Sequence, residues 1–216
     1  MNFGEGCRGC RPAGRTDGTR DLWPGPACRR RLARMSAALQ PRPPATLADF
    51  LNWERGQALR YEWDGVQPVA MVGGSFAHTE IASRLYDALR PALRGGPCTV
   101  VRADLKVLTG RGTRARYPDL VVTCAPIRPG DAAVPEPVLV VEVLSETTAA
   151  ADRGAKRAEY AALPSLARYV MLAQDEALAL VCERVSGFEE RAVRDTLELP
   201  ELGLVVPLAP LYEGLV

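Results

Sequence analysis

Residues 137–148 read Pro137-Val138-Leu139-Val140-Val141-Glu142-Val143-Leu144-Ser145-Glu146-Thr147-Thr148. After Pro137, valine and leucine fill both alternating faces through Leu144, broken by one acid. A strand apolar on both faces belongs inside a sheet that is covered on both sides. A carboxylate buried there without a partner costs several kcal/mol, on the order of a lost buried ion pair. Glu142 therefore calls for a lysine, a metal ion or a raised pKa.

The rest of the chain fits one domain with an extension. At 216 residues, with 47% hydrophobic and 25% charged residues, it has the make-up of an ordinary globular protein. Its net charge of +1 conceals an asymmetry. Residues 1–34 carry eight arginines and three acids, leaving the remainder mildly acidic. That gives no support for tight nonspecific binding of nucleic acid, though a local basic groove stays open. No stretch reaches the ~20 apolar residues of a membrane span, and the N-terminus lacks the apolar region of a secretory signal. The expected location is the cytoplasm.

Residues 1–45 are rich in Gly, Pro and Arg and read as a disordered extension. Met35-Ser36 is a plausible true start, with residues 1–34 an upstream extension or a mis-called start. Cys7-x-x-Cys10 has metal-ligand spacing, but with Cys28 it supplies only three ligands and no histidine. Cys124 and Cys182 read as small core residues, and Cys98 as the start of a strand.

Over residues 46–216 the elements alternate. Thr46 caps a helix over 47–55. An N-terminal β-hairpin spans 60–72 and turns at Asp64-Gly65. Ser75 caps a second helix, in which Ile81, Leu85, Leu89 and Ala92 recur at helical spacing and the only histidine, His78, lies in the first turn. Strands follow near 98–102, 104–109, 117–124 and 137–144, then a helix over 150–162. Three strands near 167–174, 177–185 and 188–194 come next, and a short closing segment over 205–212. This order makes an α/β (α+β) layer with a mixed sheet.

Acids gather near the ends of two strands. In Tyr117-Pro118-Asp119-Leu120-Val121-Val122, Asp119 opens an apolar strand. If that strand neighbours 137–144, Asp119 and Glu142 converge, and two converging carboxylates repel unless a hard divalent cation lies between them. Asp152, Lys156 and Tyr160 share one helix stripe at i, i+4, i+8. Lysine is rare here, two residues against 25 arginines. A lysine is therefore a mild flag for a place that wants a compact ammonium.

Each feature also has a plainer reading. Asp119 after a proline suits a turn, Glu142 suits a structural salt bridge, and Asp152–Lys156 is the spacing of an ordinary helix ion pair. His78 suits a surface position, Glu62 on the hairpin is ambiguous, and Tyr160 suits packing.

A Pro-Asp at a strand start, a Glu in the next strand and a nearby Lys resemble the PD-(D/E)xK nuclease superfamily. The usual lysine position two residues after the Glu is Leu144. The longer pattern Val140-Val141-Glu142-Val143-Leu144-Ser145, Thr148, Asp152-Arg153-Gly154, Lys156, Tyr160 and Leu163-Pro164-Ser165 resembles the Uma family of putative restriction endonucleases, in which the lysine comes from the following helix. The likeness takes in Tyr61-Glu62, Asp64-Gly65, His78, Asp104-Leu105 and Tyr169-Val170, over roughly 46–212. Glu146 stands where the family often has proline.

The resemblance implies a restriction-endonuclease-like mixed sheet flanked by helices, and a Mg²⁺- or Mn²⁺-dependent endonuclease acting on nucleic acid, foremost DNA. It implies that Asp119 and Glu142 bind the metal, with the Val143 carbonyl as a backbone ligand. Lys156 would orient water or steady phosphate, and Glu62 would be an accessory acid near the metal or its waters. A homodimer would suit cleavage of both strands. The alternative is a catalytically silent nucleic-acid- or protein-binding module on the same fold.

Overall fold

The computed structural model describes residues 43–71, 73–102, 104–145 and 149–216. Residues 1–42 of the expected disordered extension, with the first three cysteines and Met35, lie outside the described residues, as do Glu146, Thr147 and Thr148; residues 43–45 form no helix or strand.

Helix α1 (Leu47–Glu54) begins where Thr46 accepts the Asp49 N–H at 3.1 Å, a cap worth about 1 kcal/mol. Strands β1 (Tyr61–Trp63) and β2 (Pro68–Ala70) form the hairpin. Asp64 shapes its turn by accepting the Val66 and Gln67 N–H groups, both at 2.7 Å. Helix α2 (Phe76–Ala92) is capped by Ser75, which accepts the His78 N–H at 3.1 Å. Strands β3 (Thr99–Arg102), β4 (Val107–Thr109), β5 (Arg114–Arg116), β6 (Leu120–Thr123) and β7 (Pro137–Val143) follow. A helical segment then runs through α3 (Ala149–Ala151), a π-helical turn (Asp152–Lys156) and α4 (Arg157–Ala161). Strands β8 (Arg168–Leu172), β9 (Ala179–Glu183), β10 (Glu190–Val193), β11 (Thr196–Leu199) and β12 (Leu204–Pro207) precede helix α5 (Ala209–Tyr212).

The main sheet has six strands in the order β10-β9-β8-β7-β6-β3. It is mixed: β7 runs parallel to β8 and antiparallel to β6, the other pairs being antiparallel. The parallel pair is joined by the lysine-bearing helical segment, the crossover such a pair requires. Strand β7 is interior, as its two-sided apolar pattern demands. Leu139, Val141 and Val143 pack with Ile81, Leu85 and Leu89 of α2 on one face. Val140 packs with Tyr160, Tyr169 and Met171 on the other. Each fully buried leucine or isoleucine contributes about 1.5–3 kcal/mol. Glu142 alternates with Val141 and Val143, so its side chain goes to the Tyr160 face.

A second sheet, in the order β2-β1-β5-β4, packs Trp63 and Ala115 on Phe50 of α1. The period of two sends Glu62 and Arg116 to the opposite face. Three features depart from the sequence reading. Strand β5 and the β11–β12 hairpin are additional strands, the latter partly within the expected closing segment. The helix expected over 150–162 contains the π turn. Cys124 is bonded to Cys98 in a disulfide beside the Thr99–Thr123 pair and is not a free core residue, whereas Cys182 is free and buried. No described helix is long and apolar enough to cross a membrane.

Candidate active site

The antiparallel β6–β7 pairing sets Leu120 opposite Val141, so Asp119 lies just before the ladder, at the level of Glu142. Asp119 Oδ2 accepts the Val143 N–H at 2.7 Å and lies 3.2 Å from His78 Nε2. The N–H and C=O of a strand residue point to the same edge, so the Val143 carbonyl also faces this side. His78 arrives through the Ser75 cap. A Cβ on Gly74 would stand 2.7 Å from His78 Nδ1, so glycine there leaves room for the ring. The hydrogen bond to Asp119 raises the His78 pKa against the effect of burial, and the charges of Asp119 and Asp152 add to it.

Glu142 is 5% exposed. Its Oε1 accepts from Lys156 Nζ at 3.1 Å and from the Tyr160 hydroxyl at 3.2 Å. Burial pushes the Glu142 carboxyl up to about 8; Lys156 opposes the shift, while Asp119, Asp152 and Glu62 add to it. Lys156 has three carboxylate neighbours: Glu142, Glu62 Oε1 at 3.2 Å and Asp152 Oδ1 at 3.0 Å. Burial works against the ammonium, but these acids outweigh it and raise its pKa, so Lys156 is a charge and a donor rather than a base.

The π turn belongs to this arrangement. The Arg157 N–H reaches back to the Asp152 carbonyl, five residues earlier, and widens the turn that carries Asp152 and Lys156. Both side chains are buried, followed on the same stripe by Glu159 and Tyr160. Asp152 Oδ1 makes the ion contact with Lys156 but no well-aligned hydrogen bond. The ordinary-looking i, i+4 pair is thus an interior one.

Glu62 is brought to the lysine and held there. Its Oε1 also accepts the Tyr117 N–H at 3.1 Å, and its Oε2 accepts from Arg116 Nη1 at 3.1 Å. Arg116 in turn grips Glu159 through two hydrogen bonds of 2.8 and 2.7 Å. Arg116 and Glu159 are additions to the site expected from the sequence. Glu159 could have been found three residues beyond Lys156 on the same stripe, whereas nothing local marks Arg116. Tyr160 packs as expected, against Tyr169, but also serves Glu142 through its hydroxyl. Asp104 stands apart in an exposed pair with Arg60 at 3.0 Å. The second lysine, Lys106, pairs with Glu54 at 2.9 Å and lies over the Tyr117 ring.

The donor set suits a hard divalent cation. Glu142 holds its proton above the usual carboxylate range chiefly because it is buried, with Asp119, Asp152 and Glu62 adding to the effect, and a cation would offset both. Among the described residues no three His, Cys, Asp or Glu side chains converge as an ion cage. An ion would rely on two carboxylates, a backbone carbonyl and water, a set that Mg²⁺ accepts because it retains several waters.

The mixed sheet with flanking helices is a restriction-endonuclease-like fold. Among solved structures, a putative nuclease belonging to DUF820 from Anabaena variabilis matches with a TM-score of 0.63 at 15% identity, over 80% of this chain and 100% of that one. An uncharacterized protein of Synechocystis sp. is 34% identical over 180 residues, which cover 81% of this chain and 95% of that protein. Residues 47–210 match the model of the family Uma2, described as "Putative restriction endonuclease". The chain belongs to this family, and the family supports a nuclease-like function.

Proposed function

We propose that the protein is a Mg²⁺- or Mn²⁺-dependent endonuclease that hydrolyses phosphodiester bonds in nucleic acid, foremost DNA. The observation that carries this reading is the buried contact between Glu142 and Lys156 beside Asp119. A lysine from the crossover segment supplies the ammonium that Leu144 cannot.

Asp119, Glu142 and the Val143 carbonyl would hold the ion. When bound, the ion would neutralise charge on the phosphate and acidify water. Lys156 stays protonated, and its ammonium can steady a phosphate oxygen or orient the attacking water. The Tyr160 hydroxyl fixes one oxygen of Glu142. Glu62, with both oxygens engaged, acts on Lys156 and is not a free acid at the ion.

The test is plasmid cleavage with Mg²⁺ or Mn²⁺, beside Glu142→Ala and Lys156→Ala. Cleavage by the wild type and a loss on the order of 10²-fold or more in each variant is expected. Wild-type cleavage that survives in both folded variants would refute the residue roles. A wild type that neither binds either ion by calorimetry nor cuts duplex DNA, single-stranded DNA or RNA would favour a silent binding module.

A further inference from the structure

Arg116 belongs to the small sheet, yet its guanidinium ends inside the site of the large one. It is 7% exposed. On one side Nε and Nη2 donate to Glu159 Oε2 and Oε1 at 2.8 and 2.7 Å. On the other, Nη1 donates to Glu62 Oε2 at 3.1 Å. The remaining oxygen of Glu62 lies 3.2 Å from Lys156 Nζ. Glu159 follows Lys156 by three residues on the same helical segment and is steadied by the Thr109 hydroxyl of β4 at 2.8 Å. The contacts therefore close a circuit: Lys156, Glu62, Arg116, Glu159, and back along the segment to Lys156.

We propose that Arg116 is a positioning residue that fixes the Lys156 ammonium, through Glu62 on one side and through Glu159 on the other. The proposal rests on the reading above that Lys156 serves the chemistry. Lys156 ends a flexible four-carbon stem and has three carboxylates to choose from. Alone, it would settle against whichever acid was best placed. Glu62 can hold it on the small-sheet side only if Glu62 is itself held, and its anchors are Arg116 and the Tyr117 N–H. A planar fork can grip Glu159 in two places and still spare a donor for Glu62, whereas an ammonium cannot match that geometry. Strands β1, β4 and β5 thus serve as a frame against which the lysine is located.

The chain's two lysines make this directly readable. Lysine labelled with ¹³C at Cε gives two signals, and Lys156→Arg identifies the one from Lys156. Lys106, bound to Glu54 across the small sheet from Arg116, reports the fold. In Arg116→Met, the Lys156 signal is expected to shift and its ammonium protons to lose their protection from exchange, with the Lys106 signal in place. Glu159→Gln, which loosens the guanidinium while keeping both lysines and Glu62, should shift it in the same direction. It also serves as the test if Arg116→Met does not fold. A Lys156 signal unmoved in a folded Arg116→Met, or in Glu159→Gln, overturns the proposal. So does loss of both native signals in both variants, which would make the circuit a requirement of the fold alone. The readout needs neither ion nor substrate, so a wild type that cuts nothing would sink the nuclease reading and leave this result standing.

Discussion

The Lys156 ammonium lies 3.1 Å from Glu142 Oε1, although the two residues stand on different elements and 14 positions apart. The contact joins the centre of the large sheet to the segment that crosses over it. It also explains how an acid is tolerated in the interior of β7. Lys156 is shared with Glu62 and Asp152, however, so it does not discharge Glu142 fully.

The first prediction concerns stability against pH. The Glu142 carboxyl is raised from 4.5 to about 8, chiefly by burial. Between those values the folded protein keeps a proton that the unfolded chain has lost. Stability from this group is therefore complete below pH 4.5 and is lost as pH rises towards 8. His78 has the same sign, since its raised pKa gives stability that fades above its ordinary value of 6.5. Thermal melts of ion-free protein from pH 5 to pH 9 should fall on the alkaline side, by on the order of a few kcal/mol. Glu142→Gln should flatten that fall and melt higher than wild type at pH 8. An equally steep profile in the variant would show that Glu142 is not its source.

A second prediction follows for ion binding. A cation that takes both carboxylates must displace the proton Glu142 retains near neutral pH. Titration with Mn²⁺ at pH 7 in two buffers of different ionisation enthalpy should give different apparent heats, with net proton release. Glu142→Gln should reduce the difference, leaving only what His78 contributes through Asp119. Equal heats in both buffers for the wild type would mean that the ion does not bind through a protonated Glu142.

The parts legible in the sequence are those whose cause is local. The apolar residues on both sides of Glu142 place β7 in the interior whatever surrounds it, and the 3.6 period of Ile81, Leu85 and Leu89 marks α2 in the same way. Arg114-Ala115-Arg116 carries no such mark. Two arginines around an alanine look like an exposed turn, and Arg116 is made interior only by Glu62 and Glu159, 54 and 43 positions away. The Cys98–Cys124 bond likewise depends on the β3–β6 register, which neither strand states alone. Strand β11 is different: Thr196-Leu197-Glu198-Leu199 alternates cleanly, with both leucines buried, and the pattern was there to read.

The third prediction isolates Tyr160. It is fully buried and donates to Glu142 at 3.2 Å. Tyr160→Phe keeps the ring packed on Tyr169 and removes one donor. A hydrogen bond to a charged group contributes about 1.5–3 kcal/mol, so the loss should bear on the ionised carboxylate and hardly on the protonated one. The variant should bind Mn²⁺ roughly tenfold or more weakly, with a melting temperature near wild type at pH 6 without ion. Unchanged ion affinity would reduce Tyr160 to a packing residue.

The last prediction concerns the disulfide. Cys98 and Cys124 stand next to the Thr99–Thr123 pair and join edge strand β3 to β6, whose other end begins beside Asp119. The bond closes a loop with a sequence separation of 26, which by chain entropy stabilises the fold by about 3 kcal/mol. Cys98→Ser should melt lower than oxidised wild type by that amount. A dithiol reductant should bring the wild type down to the variant and leave the variant where it is. The β6–β7 pairing that places Asp119 does not pass through the bond, so ion affinity should be the same in reduced wild type, variant and oxidised protein. Alkylation and mass spectrometry of air-oxidised protein checks the bond itself: two freely modified thiols at these positions would overturn it.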